Sequence, residues 1–115
     1  MILSIIIVSY NTKELLEQCL ESITGSFQNQ VQSPKLKVKS LNGQPLSLSD
    51  LEIIIVDNNS TDGTQEYLKQ LTIKSPKLKV KTILNKENAG FARANNQGIE
   101  KSEGEYVLFL NPDTI

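Results

Sequence analysis

The chain has no histidine, no tryptophan and a single cysteine, Cys19. Without imidazole, it has no histidine general base, no histidine partner for a nucleophile and no imidazole metal ligand. One thiol cannot close an internal disulfide, which fits a cytoplasmic chain. An excess of one charge is lacking too. The 12 Lys and Arg stand against 13 Asp and Glu, a net charge of −1. Composition therefore offers no electrostatic attraction to nucleic acid or to an anionic membrane. The apolar opening from Met1 to Val8 has no basic region before it, and Asn11-Thr-Lys-Glu14 follows at once. It is too short to span a bilayer and reads as a first strand, not a signal peptide. What remains, in 115 residues with 38% apolar content, is one soluble domain with a modest core.

Strands alternate with helical patterns, which predicts βαβ units and a parallel sheet. The first strand runs from Ile2 to Val8, with a β-branched composition suited to burial on both faces. Asn11 is expected to cap the next helix, with Glu14 completing a capping box. Leu15, Leu16, Cys19, Leu20 and Ile23 make its apolar stripe, and Gly25 is expected to end it. A second strand spans Glu52 to Val56. A helix from Asp62 to Leu71 turns Tyr67, Leu68 and Leu71 inward, and Ser75-Pro76 breaks it. Leu78 to Leu84 reads as a third strand, Phe91 to Lys101 as a third helix, and Tyr106 to Leu110 as a last strand after Gly104. The crossover rule predicts a core order of 3-2-1-4.

Residues 28–50 do not fit this rhythm. Ser33-Pro-Lys-Leu-Lys-Val-Lys39 recurs verbatim as Ser75-Pro-Lys-Leu-Lys-Val-Lys81, and Asn42-Gly43 lies between two alternating runs. The pattern predicts a β-hairpin insertion. Its alternating lysines suit a protected edge strand or a basic docking patch.

Polar clusters follow the strands. They are Ser9-Tyr10-Asn11, Asp57-Asn-Asn-Ser-Thr-Asp-Gly-Thr64, Asn85-Lys-Glu-Asn-Ala-Gly-Phe-Ala-Arg93 and Asn111-Pro-Asp113. Each alone has an ordinary reading. Asn11 can be a cap, Asp57 to Thr64 turn chemistry, Arg93 a solvated helix residue and Asn-Pro-Asp a turn. A parallel sheet puts all of them on one edge, where open α/β sheets bind ligands. That edge then offers amides and hydroxyls for a base and ribose. It also offers helix N–H groups and Arg93 for phosphates, and Asp113 for a cation.

Ser4 to Asn11, Ile54 to Thr64, Asn85 to Asn96 and Gly104 to Thr114 resemble the N-terminal half of glycosyltransferase family 2, and the resemblance covers the whole chain apart from the insertion at 28–50. Val56-Asp-Asn-Asn-Ser60 and Asn111-Pro-Asp-Thr114 look most like a rhamnosyltransferase-type branch. The resemblance implies a truncated Rossmann-like GT-A fold, a three-layer α/β/α arrangement around a mostly parallel sheet. Residues 1–115 would be the nucleotide-sugar-binding part, with the acceptor-binding half absent from this sequence. Ser9, Tyr10 and Asn11 would line the nucleotide pocket, Asp57 and Asn58 would face base and ribose, and Arg93 would lie near the diphosphate. Asn88, Gly90 and Asn111 belong to the same nucleotide-sugar-binding set. Asp113 would bind Mg²⁺ or Mn²⁺ bridging the diphosphate.

The partners implied are a dTDP- or UDP-sugar and a saccharide or lipid-linked acceptor, with no nucleic acid. Many members carry a second acid after strand two; Asn58 stands there and leaves the base open. Asn111 replaces the first acid of the metal motif. An inverting transfer also needs a general base, and no residue here takes that role. The expected location is cytoplasmic, peripheral at the inner membrane face in a full-length protein. A non-catalytic nucleotide-sugar-binding module is the alternative. A receiver domain would want an acidic pair where Ser9-Tyr-Asn11 stands. A sugar nucleotidyltransferase would want a Gly-rich basic loop there. The uncovered last strand is expected to promote self-association.

Overall fold

Four strands pair into one sheet. The computed structural model describes residues 2–28, 50–74 and 79–110. In chain order the elements are β1 (Leu3–Ser9), α1 (Lys13–Gln28), β2 (Leu51–Asp57), α2 (Thr64–Lys74), β3 (Lys79–Leu84), α3 (Phe91–Lys101) and β4 (Tyr106–Leu110). The strand order is β3-β2-β1-β4, and all three neighbouring pairs are parallel. Order and direction match the sequence reading. The expected hairpin over 28–50 and the break at Ser75-Pro76 lie outside the described residues, apart from residues 28 and 50 themselves.

Alternate strand residues face opposite layers. Leu3, Ile5 and Ile7 with Leu51, Ile53 and Ile55 meet Leu16, Cys19, Leu20 and Ile23 of α1 and Leu68 of α2 in one buried cluster. On the other face, Ile6, Ile54 and Val56 pack with Ala94 of α3. Burial pushes the Cys19 thiol up to about 11, so it behaves as a small apolar residue. Leu15, expected on the stripe, is 37% exposed. It lies at the edge of the apolar arc while Leu16 and Cys19 point to the sheet.

Glycines allow two close approaches. A Cβ on Gly98 would lie 2.6 Å from Ile6 Cγ2, so α3 beds directly on β1. A Cβ on Gly104 would lie 2.6 Å from the Ser4 backbone nitrogen. At that end of the sheet, buried Glu52 organises the entry to β4. Its Oε2 accepts from Ser4 Oγ at 2.6 Å and from the Glu103 amide at 2.6 Å. Lys81 Nζ approaches Oε1 at 3.0 Å as an ion pair, without the alignment of a hydrogen bond. Burial raises the Glu52 pKa, but Ser4, the Glu103 amide and Lys81 together pull it below the ordinary 4.5. The Gly104 amide donates to Ser4 Oγ at 2.8 Å. β4 itself is half covered. Leu108 and Leu110 pack against the first cluster, whereas Val107 and Phe109 on the opposite face are 39% and 49% exposed.

Four helix boundaries differ from expectation. α1 begins at Lys13, and Thr12, not Asn11, accepts the first helical bond, from the Leu16 amide at 2.8 Å. The Asn11–Glu14 capping box does not form, because Asn11 adopts φ 52 and a neighbouring loop caps the helix instead. α1 also continues through Gly25 to Gln28; the left-handed glycines among the described residues are Gly63 and Gly90. α2 starts at Thr64 and reaches Lys74, since Asp62 stands two residues ahead as a capping side chain.

Candidate functional site

The C-terminal ends of β1, β2 and β3 gather the polar clusters on one edge. β1 and β2 are in register at Ser9 and Asp57. The pairing carries on past the strands through the Asn58 amide to Ser9 O and the Asn85 amide to Asp57 O, both 2.9 Å. Ser9 and Asp57 are 1% and 0% exposed. Ser9 Oγ donates to Asp57 Oδ1 at 2.8 Å. The same carboxylate accepts from the Ser60 amide at 2.8 Å, from Ser60 Oγ and from Gln65 Nε2 at 2.9 Å. Four donors saturate it. Asp57 is therefore the post around which the turn 57–63 is wound, with Asn59 in the left-handed region at φ 67.

That turn clasps the end of β1. The Asn11 amide donates to Ser60 Oγ at 2.9 Å, and the Thr61 amide donates to Asn11 Oδ1 at 2.8 Å. Asn11 is a residue type that tolerates a left-handed backbone, and its side chain is held across the turn by the Thr61 amide. Asp62 caps both helices. Its Oδ2 accepts from the Lys13 amide, its Oδ1 from the Thr64 amide, both at 3.1 Å, and Thr64 Oγ1 adds a third bond. Burial raises the Asp62 pKa; the Thr64 hydroxyl and the Lys13 and Thr64 amides outweigh it and hold the carboxyl below the ordinary 3.8.

The opposite rim is the segment joining β3 to α3. Asn58, 3% exposed, turns toward it. Its Oδ1 accepts from Asn85 Nδ2 at 2.9 Å and from the Ala89 amide at 3.4 Å, and its Nδ2 donates to Gly90 O at 3.4 Å. The Gly90 amide donates to Asn88 Oδ1 at 2.9 Å. Gly90 has φ 86, which glycine alone adopts freely, and no side chain caps α3. The first-turn amides of α3 thus stay open for an anion, with Arg93 exposed on that turn. Tyr10, 49% exposed, stands at the end of β1.

The fold thus brings Ser9, Tyr10, Asn11, Asp57, Asn58, Asn88, Gly90 and Arg93 to one edge. Ser9, Asp57 and Asn58 lie beneath its surface, while Tyr10, Asn88 and Arg93 are exposed on it. Asn111 and Asp113 lie outside the described residues. Sequence reasoning passed over Gln65, Asn85 as a hub, and Gln97. A glutamine inside a helix reads as a solvated residue, and only the packing of α3 sets Gln97 opposite Asn85.

A sheet of this order with polar loops at one edge is shared by known proteins. The model of Glycosyl transferase family 2 matches residues 4–115, and the chain belongs to that family. It is 31% identical over 110 residues to glycosyltransferase AglE of Haloferax volcanii, covering 96% of this chain and 30% of that one. It is 30% identical over 112 residues to the putative teichuronic acid biosynthesis glycosyltransferase TuaG of Bacillus subtilis, covering 97% and 36%. The chain therefore spans about a third of the length of these relatives. In fold it is similar to the mannosyltransferase PcManGT from Pyrobaculum calidifontis, solved in complex with GDP-Man and Mn²⁺. The TM-score is 0.73 at 24% identity, covering 96% of this chain and 27% of that one.

Proposed function

We propose that this chain is the donor-binding part of a glycosyltransferase. The whole enzyme passes a sugar from a nucleoside diphosphate to a hydroxyl of a saccharide or lipid-linked acceptor. One observation carries the reading. The loops after β1, β2 and β3 converge on one edge, beside the point where the strand order turns from β1 to β4. Such an edge is where open α/β sheets hold nucleotides. The open amides at the start of α3, with Arg93, suit a diphosphate. Exposed Tyr10 suits the flat face of a base.

The transfer is inverting in this proposal. The acceptor oxygen attacks the anomeric carbon from the side opposite the diphosphate. The bond from that carbon to the phosphate oxygen breaks, and its electron pair leaves with the nucleoside diphosphate. The acceptor proton passes to a base, a role given to no residue of this chain. The chain's own residues bind and orient the donor, so 1–115 alone is expected to show no acceptor-dependent transfer.

A divalent cation, Mg²⁺ or Mn²⁺, belongs to the proposal, and Mn²⁺ in the PcManGT complex supports it. Among the described residues no cluster of three or more acidic, cysteine or histidine side chains fits one. Asp57 is already saturated by four donors of its own chain. Asp113 is the residue assigned to the ion, on the resemblance alone. The base is left between uracil and thymine. The run Val56-Asp57-Asn58-Asn59-Ser60 favours a rhamnosyltransferase-like branch, working at the cytoplasmic face of a membrane.

Calorimetry with UDP, dTDP and GDP tests the reading. The expected result is saturable binding of at least one, tighter in Mn²⁺ than in EDTA, with the gain lost in Asp113→Ala. Binding of none overturns it.

A further inference from the structure

Three amide side chains, from the loops after β2 and β3 and from α3, meet in one network. Asn85 Nδ2 donates to both Asn58 Oδ1 and Gln97 Oε1, each at 2.9 Å, and Gln97 Nε2 returns a bond to Asn85 Oδ1 at 3.1 Å. The Asn85 backbone is fixed as well. Its amide donates to Asp57 O at 2.9 Å and its carbonyl accepts from Gln65 Nε2 at 3.2 Å. From Asn58 the chain of bonds runs on to the Ala89 amide and the Gly90 carbonyl. Past Asn85, residues 86–90 belong to no strand or helix, so no ladder sets their shape. Side-chain amides set it.

We infer that Gln97 and Asn85 are positioning residues. They form a latch that holds the Asn88–Gly90 turn, and with it the open amides of α3, at the place of the donor diphosphate. The inference rests on the nucleotide-sugar reading above and adds residues that touch no ligand themselves. The chemistry suits the role. Amides keep one charge state at all working pH values, and each gives both a donor and an acceptor. The reciprocal pair fixes Gln97 against Asn85 in a single orientation. The spare Nδ2 proton of Asn85 is then committed to Asn58. Removing Gln97 leaves Asn85 free to rotate, and Asn58 loses its strongest contact to the loop.

The experiment compares the wild-type chain with Gln97→Met, which keeps length and helix propensity but neither hydrogen bond. UDP, dTDP and GDP, each with Mn²⁺, are the probes. The expected result is an unchanged far-UV spectrum and about fivefold weaker binding of whichever nucleotide the wild type takes, the scale of one lost hydrogen bond. Amide exchange should speed up at Ala89 and Gly90 and stay unchanged at Ile5 and Ile6 in β1. A double variant with Asn85→Ala should bind no more weakly than Asn85→Ala alone, since both break one latch. Gln97→Leu also lacks both hydrogen bonds, is read the same way, and serves where the methionine variant does not fold.

Wild-type affinity in a folded Gln97 variant overturns the latch and leaves the nucleotide reading standing. Faster exchange spread evenly over β1 and β2 also overturns it, since the residue would then serve general stability. Failure of the wild type to bind any of the three nucleotides refutes the nucleotide reading and this inference with it.

Discussion

The Asp62 carboxylate caps a helix 49 residues away: its Oδ2 lies 3.1 Å from the Lys13 amide at the start of α1. The other oxygen caps the helix that follows it in sequence. One exposed side chain thus joins the first turns of α1 and α2 and ties the loops after β1 and β2 together.

Asp62→Ala is therefore expected to remove two caps at once and cost about 1–2 kcal/mol, read as a lower urea midpoint. The folded pKa of Asp62 is depressed. Its stabilisation is then complete above the ordinary value of 3.8 and fades as pH falls through the folded value. The variant should show a shallower acid limb than wild type. An unchanged limb would show that the cap is not populated in solution.

At the other end of the sheet, Glu52→Gln is expected to cost about 3 kcal/mol, the scale of a charge-assisted bond lost from a buried pair. Glu103, held by Lys79 and Lys81, is lowered to about 2. Both carboxyls titrate below their unfolded values, so their stabilisation is present above the ordinary 4.5 and is lost as pH falls through their folded values, about 2 for Glu103. Denaturation followed from pH 7 to pH 2 checks this. Parallel curves for wild type and Glu52→Gln would contradict it.

Two glycines allow a paired comparison. Gly104→Ala pushes a methyl against Ser4 backbone, which cannot yield without disturbing β1, and should cost about 1–3 kcal/mol. Gly98→Ala meets Ile6 side-chain atoms, and alanine gains about 1 kcal/mol of helix propensity there, so its net effect should be smaller. Chemical denaturation of both variants gives the order; the reverse order would refute the packing described at Gly104.

β4 runs Tyr106-Val-Leu-Phe-Leu110 along a sheet edge without a charged residue, unlike β3 with Lys79 and Lys81. Such edges template pairing. We expect the isolated chain to self-associate, and Phe109→Lys to shift it toward monomer. Sedimentation velocity over a concentration series decides; a wild-type monomer throughout would remove the expectation.

Much of the fold was legible because its signals are local and periodic. The runs Ile5-Ile-Ile-Val8 and Ile53-Ile-Ile-Val56 can be little other than buried parallel strands, and α3 and β4 fall where their patterns place them. The start of α1 was not legible, because its capping carboxylate arrives from residue 62. The site was legible in location but less so in role. Asp57 and Asn58 follow a strand, as ligand-binding residues do, yet the fold buries both side chains and commits them to neighbouring loops. A sequence does not show which polar side chains face outward once the chain has closed around them.

The central place of β1 has a consequence for synthesis. Its partners are β2 on one side and β4 on the other, and the bond from the Gly104 amide to Ser4 Oγ spans 100 positions. A ribosome making this chain releases the middle of the sheet first and its last neighbour about a hundred residues later. Until then one side of Leu3–Ser9, a strand with three consecutive isoleucines, has no partner. Contacts this distant in sequence slow folding, and an open apolar strand on a nascent chain is where misassembly starts. The order of the strands thus makes the earliest strand of this sheet among the last to be enclosed.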